Sequence, residues 1–406
     1  MKKAIILSIF LMYLTGCSTL ENRTEEKVEQ IKIGKQEVKK IDYEILEVYT
    51  HTVPDNVKFI SKYERHPRAL SYVLIKTETA NVREMPTVSS AIIEKRKFTE
   101  RFRALEKVTF QGTEWYKVEL PNGKVGFISN QLVEYRTFRF DTAVKNLNTA
   151  LDFVRNANNS GNKLAVVDTY RPDPANQSNR REKDKYGTTA DQSLVGINSK
   201  GEKIFIPDRS VVEVLDREEG AVKVKVSSIP GEESLIVPGG GLSSKRDLKN
   251  SNINKAVVVD IANQNKMIFE KIEGEWHLIS YMYTKTGYVS ELGYETPKGH
   301  FIAAVAKSRM YYNDGLGKEQ GYAKDAIRFS GGGYLHSTPL DNSERGRWEY
   351  NLAIKEANLG TYPGTRKCIR TTEKHAKFMR EWVMGNSFNP SLYEQSIKDN
   401  VLFVIL

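Results

Sequence analysis

Cysteine is scarce in this chain of 406 residues: there are two, Cys17 and Cys368, so a disulfide framework is excluded. Histidine is nearly as sparse, at six. Cys368 has no companion thiol and no His cluster at ligand spacing, so no metal and no cofactor is implied. Long apolar runs are lacking near the N-terminus too. The stretch at residues 4–13 falls well short of the ~20 apolar residues that a membrane-spanning helix needs.

What is present at the N-terminus is a targeting pattern. Lys2 and Lys3 precede the short apolar run, as in a signal peptide. The run ends in Leu14-Thr15-Gly16-Cys17, which resembles the lipobox of bacterial lipoproteins. That resemblance implies a diacylglycerol on Cys17, which becomes residue one of the mature chain. Each buried methylene contributes about 0.8 kcal/mol, so several acyl chains anchor stably. Ser18 resembles the outer-membrane sorting preference of double-membraned bacteria. With Cys17 lipidated, Cys368 is a lone thiol in an exported protein: a reactive group, or a buried inert one. Lys and Arg number 61 against 51 Asp and Glu, a net +10. On an exported chain this suits anionic wall polymers, acidic stem peptides or lipid headgroups, and the lipoprotein signal argues against nucleic acid.

Length suggests about three domains of ~150 residues, and the strand-rich pattern makes the fold mainly β. Residues 1–17 form the signal and 18–72 a tether and an unassigned segment. Residues 73–137 read as short strands with a hairpin at Pro121-Asn122-Gly123. They resemble a bacterial SH3-like domain, which implies a small wall-peptide-binding β-barrel. Residues 138–250 open with a helix over 141–156, N-capped by Asp141, with Ala143, Leu147, Leu151 and Val154 on one face. A second, weaker SH3-like β module comes next, with no catalytic constellation, then a linker at Gly239-Gly240-Gly241.

Residues 251–406 are β-rich, with a hairpin turn expected at Asn263-Gln264-Asn265, and hold three diagnostic segments. They are Glu295-Thr296-Pro297-Lys298-Gly299-His300-Phe301, then Phe329-Ser330-Gly331-Gly332-Gly333-Tyr334-Leu335-His336-Ser337, then Gly364-Thr365-Arg366-Lys367-Cys368-Ile369-Arg370. In this order they resemble the L,D-transpeptidase (YkuD-type) catalytic domain. The resemblance implies that Cys368 attacks the carbonyl of the third, diamino residue of a peptidoglycan tetrapeptide stem. The terminal D-amino acid leaves, His336 shuttles its proton, and an amine of a second stem takes the acyl group. Tyr334, Arg366 and Arg370 are expected to line the substrate groove, Ser337 to orient His336 through its backbone or hydroxyl, and the N–H groups of Lys367 and Cys368 to form an oxyanion site.

The residues themselves agree with those roles. A thiol attacks as thiolate and needs a base or positive surroundings. His336 ends an apolar strand beside glycines that leave room for a substrate backbone. Thr372 can cap a helix carrying Ala376, Met379 and Val383, with Cys368 just ahead of its positive end. His375 is expected to be solvated and His300 to lie on a strand surface. Arg366-Lys367 stands where the family has His-Gly, and the long gap from His336 to Cys368 implies an inserted lid. Two rivals stay open: a silent wall-binding lipoprotein, and a carboxypeptidase with water as acceptor.

Overall fold

The computed structural model describes residues 42–169, 180–229, 231, 234–244, 246–314 and 316–406. The expected signal, Cys17 and most of the tether lie outside the described residues. Among the described residues no helix is long and apolar enough to cross a membrane.

The fold is mainly β, as expected: four sheets and three helices among the described residues. The first sheet runs from Glu44–Val48 to Val133–Thr137, with alternating strands that bury Val73, Val82, Ala104, Val118 and Ile128. Its hairpin turns at Gly123, whose φ of +80° is the left-handed value that glycine adopts without strain. The expected linker glycines, Gly239–Gly241, instead form a 3-10 turn at the edge of the second sheet. That sheet runs from Lys163–Val167 to Leu242–Ser243 around a Val- and Ile-rich core.

Helix α1 (Phe140–Asn159) buries Ala143, Leu147, Leu151 and Val154, as its periodicity predicts. Asp141, however, sits in the first turn rather than at the N-cap. The cap position is Arg139, whose guanidinium instead binds the buried Asp260 carboxylate at 2.7 Å. The apolar face of α1 joins Val166 and Val211 of the second sheet to Val258, Met267, Leu402 and Val404 in one core. The second β module is therefore fused to the C-terminal region by buried apolar surface.

The C-terminal region pairs two sheets. One holds Lys255–Asp260, Asn265–Ile272, Glu275–Tyr283, Gly299–Ile302 and the last strand, Val401–Ile405. The hairpin expected at Asn263-Gln264-Asn265 joins its first two strands. The other holds Val305–Asn313, Glu319–Ser330, Gly333–Ser337, Ile369–Thr371 and Gln395–Ser396. Val257, Val259, Phe301, Phe329 and Phe403 fill the space between them, closed by α3 (Glu373–Met384). Ile369–Thr371 runs parallel to Gly333–Ser337, with His336 opposite Arg370. The long connection between these strands contains Leu340–Asp341, a 3-10 turn and α2 (Trp348–Ala357).

Two histidines depart from expectation. His375 is fully buried and shares a hydrogen bond of 2.9 Å with Ser280 Oγ, and His300 is buried against Ser227 Oγ at 2.6 Å. His300 lies within the strand Gly299–Ile302, and His375 lies on α3 against Ser280 of the strand Glu275–Tyr283. Burial lowers the pKa of both, His300 to about 4. The unfolded chain then takes up these protons first, near pH 6.5, so stability falls as pH drops from 6.5 towards 4. The slope is up to ~1.4 kcal/mol per pH unit for each histidine. Thermal melts between pH 7 and pH 4 should show this decline, and His300→Gln should flatten it. An unchanged slope in that variant would remove His300 from the account.

Candidate active site

The site grows out of the parallel strand pair. Side chains alternate along a strand, so Cys368 and Arg370 face one side, and the register with His336 places the imidazole on that side too. All three line one cavity of about 340 Å³, together with Tyr312, Asp341, Lys355 and Arg366.

The loop before the strand is held at both ends. Gly364 and Thr365 N–H groups donate to Thr286 O at 2.8 and 3.0 Å, and Arg370 N–H donates to Lys285 O at 2.8 Å. Thr365 Oγ1 donates to Cys368 O at 2.5 Å, and Thr296 Oγ1 to Lys367 O at 2.8 Å. Gly287 lets the loop close: a Cβ there would stand 2.4 Å from Tyr294 O and 2.7 Å from Lys367 Cα. The loop then enters a short strand, and only Thr372 caps α3, accepting from His375 N. Cys368 is thus separated from the helix by Ile369–Thr371, which corrects the expectation that it lies just ahead of a helix terminus.

Cys368 is half-buried. Its thiol donates to Gly332 O at 3.7 Å. Burial pushes its pKa up, while the Tyr334 backbone, Arg370 and Lys367 pull the other way without reversing the shift. His336 is 5% exposed, and burial lowers its pKa to about 4, with Arg370 adding to the effect. Its Nδ1 lies 2.6 Å from Ser337 O. A carbonyl only accepts, so Nδ1 carries the proton and Nε2 keeps its lone pair. Ser337 therefore meets His336 through its backbone, while its hydroxyl accepts from Lys324 N and donates to Thr338 O. The resting pair is a neutral thiol and a neutral imidazole.

Arg370 reaches the cavity with a buried Nε that has no hydrogen-bond partner among the described residues. Arg366 also lines the cavity, and its Nη1 donates to Asn313 O at 2.7 Å, tying the loop to the long hairpin overhead. Tyr334 does not: it is buried, with the Lys307 ammonium 5.4 Å from its ring, and the aromatic at the cavity wall is Tyr312. Tyr312 hydrogen-bonds Asp341, which pairs with Lys355, and Lys355 pairs with Glu344. These groups belong to the hairpin and to the connection expected as a lid.

Lys367 is the unforeseen feature. Its φ of +122° is one that a residue with a Cβ rarely adopts, and it stands where a glycine was expected. Such strain costs about 1–3 kcal/mol and persists only where neighbours enforce it. Lys367 Nζ lies 2.9 Å from Asp191 Oδ2, with both side chains deeply buried (4% and 5% exposed). Asp191 belongs to the second β module, whose sequence shows no catalytic constellation. The glycines before His336 also act differently from expectation. Gly331 and Gly332 make a hairpin turn, and a Cβ on Gly331 would stand 2.4 Å from Gln192 Oε1. The room is filled by the second module rather than left for a substrate backbone.

No family model matches the chain, and no curated protein matches it. Among solved structures it is similar to a fused Zn-dependent amidase/peptidase/peptidoglycan-binding domain-containing protein from Clostridium acetobutylicum: 13% identity, TM-score 0.24, covering 38% of this chain and 52% of that one. An L,D-transpeptidase from Stackebrandtia nassauensis gives 15% identity and TM-score 0.25, over 38% of this chain and 55% of that one. L,D-transpeptidase 3 from Mycobacterium tuberculosis gives 15% and 0.24, over 60% and 93%. The chain spans about half the length of the first two. At these TM-scores the likenesses carry no argument, and the chemistry is read from the chain's own residues.

A neutral resting thiol has a measurable consequence. The rate at which iodoacetamide alkylates Cys368, followed by peptide mass spectrometry, should inflect above pH 9, the ordinary value. An inflection below about pH 7 would show a preformed thiolate–imidazolium pair instead.

Proposed function

We propose that this chain is an L,D-transpeptidase-like enzyme of peptidoglycan, with Cys368 as nucleophile and His336 as general base and acid. The observation that carries the reading is the shared cavity of Cys368, His336 and Arg370, with His336 Nε2 free to accept a proton. Because both groups rest neutral, proton transfer accompanies attack. Sγ forms a bond to the carbonyl carbon of the third stem residue as His336 Nε2 takes the thiol proton. Collapse expels the terminal D-amino acid, whose nitrogen receives that proton, and leaves a thioester. An amine of a second stem attacks the thioester carbonyl, His336 Nε2 takes the proton the amine loses and passes it to the departing sulfur, and a cross-link is released. The backbone N–H groups of the Lys367–Cys368 step are the natural donors to the oxyanion. Arg370 lines the same cavity, and its guanidinium suits a substrate carboxylate.

The same proposal holds the chain in the cell envelope by a lipid on Cys17, with the β modules seated against wall peptides. A silent wall-binding role drew its support from Arg366-Lys367 in place of His-Gly. The positive φ of Lys367 weakens that support, because the backbone shape of a glycine is kept. Water as acceptor would give the carboxypeptidase variant of the same chemistry.

Incubation with tetrapeptide-bearing muropeptides should yield cross-linked dimers. Cys368→Ala should abolish them, and His336→Ala should lower the rate by about 10²-fold or more. The acid limb of the rate should fall near pH 4, where His336 protonates, rather than near 6.5. Trimming without dimers would indicate the carboxypeptidase. Dimers from the Cys368→Ala protein would refute the assignment.

A further inference from the structure

We infer that Asp191, on the second β module, is a positioning residue for the nucleophile, holding the peptide ahead of Cys368 in a conformation that glycine would otherwise have to supply. This rests on the reading of Cys368 as nucleophile. Three sets of contacts lead to it. The first is the pair itself: Lys367 Nζ meets Asp191 Oδ2 at 2.9 Å and Asp191 O at 3.4 Å, deep in the structure. The Tyr294 ring lies 5.7 Å from the same ammonium. The second is the backbone that this pair controls. Lys367 has φ +122°, and its carbonyl is fixed by Thr296 Oγ1. Its peptide group leads directly into Cys368, so a turn there moves both the sulfur and the oxyanion donors.

The third set lies on the other side of the sulfur. Gln192, next to Asp191 and itself at φ +51°, packs against Gly331 and Gly332. Gly332 O is the acceptor of the Cys368 thiol proton. Two consecutive residues of the second module thus grip the loop ahead of Cys368 and the turn that receives its thiol. A staple serving only to dock the module would not need to reach the one residue of the loop with a positive φ. A clamp must.

The two roles separate in the response to glycine. In the full chain, Asp191→Asn, Lys367→Gly and the double variant are compared by the alkylation rate of Cys368 and by muropeptide turnover, with thermal melts as the control for folding. Asp191→Asn alone should cut turnover about tenfold or more, through kcat rather than KM. In the Lys367→Gly background, removing the Asp191 carboxylate should change either rate by less than about threefold, because glycine holds the positive φ without a clamp. That comparison survives even if Asp191→Asn alone unfolds: in the Lys367→Gly protein Asp191 keeps Arg180 at 4.0 Å, and in the double variant the Arg180 side chain is 42% exposed to water. A loss of about tenfold or more on adding Asp191→Asn to Lys367→Gly would overturn the inference and leave Asp191 as a docking staple. If wild-type protein makes no product from muropeptides, the functional proposal fails. The alkylation rates would still decide the role of Asp191.

Discussion

Ile369–Thr371 hydrogen-bonds in parallel to Gly333–Ser337, and the register sets Arg370 opposite His336. Since strand side chains alternate, this one pairing brings sulfur, imidazole and guanidinium to the same cavity. A slip of one residue would turn Cys368 and Arg370 to the opposite face. The register is therefore over-determined. Lys285 exchanges two backbone hydrogen bonds with Arg370, and the buried Lys266 Nζ donates to Thr371 Oγ1 at 2.5 Å. Ile369 and Leu335 pack in the core below.

The two preceding β modules hold the loop from outside. The first grips the chain ahead of it: Tyr72 OH donates to Gly360 O at 2.8 Å, Arg136 donates to Gly360 O and Thr361 O, and Phe98 stacks on Tyr362 at 5.4 Å. The second reaches the loop itself through Asp191 and Gln192. Asp208 of that module pairs with Arg328 of the neighbouring strand, both largely buried. Buried ion pairs contribute little net stability against apolar substitutes, but breaking one leaves an uncompensated charge.

The legible parts were those set by local chemistry. Strand alternation, the Asn122-Gly123 turn, the apolar face of α1 and the Thr372 cap each depend on a few neighbouring residues. Cys368, His336 and Arg370 stand in short segments marked by local residue pattern, and the structure brings the three to one cavity. What stayed hidden depends on contacts across long stretches of chain. Asp191 is 176 residues from Lys367, and nothing near either residue announces the pair. Whether His375 is solvated or buried turns on Ser280 and its strand, 95 residues away. Tyr334 faced the wrong way in expectation because the glycine run is a hairpin turn rather than an open rim. The one local signal for the clamp was Lys367 itself, standing at a position whose backbone shape suits glycine.

The most direct measurement is mapping a covalent intermediate. After brief mixing with a tetrapeptide stem and acid quenching, intact mass should rise by the stem lacking its terminal residue. Proteolysis should then place a hydroxylamine-labile thioester on Cys368, and His336→Gln should slow its appearance without moving it. An adduct on any other residue, or one that forms at the wild-type rate without the imidazole, would contradict the account.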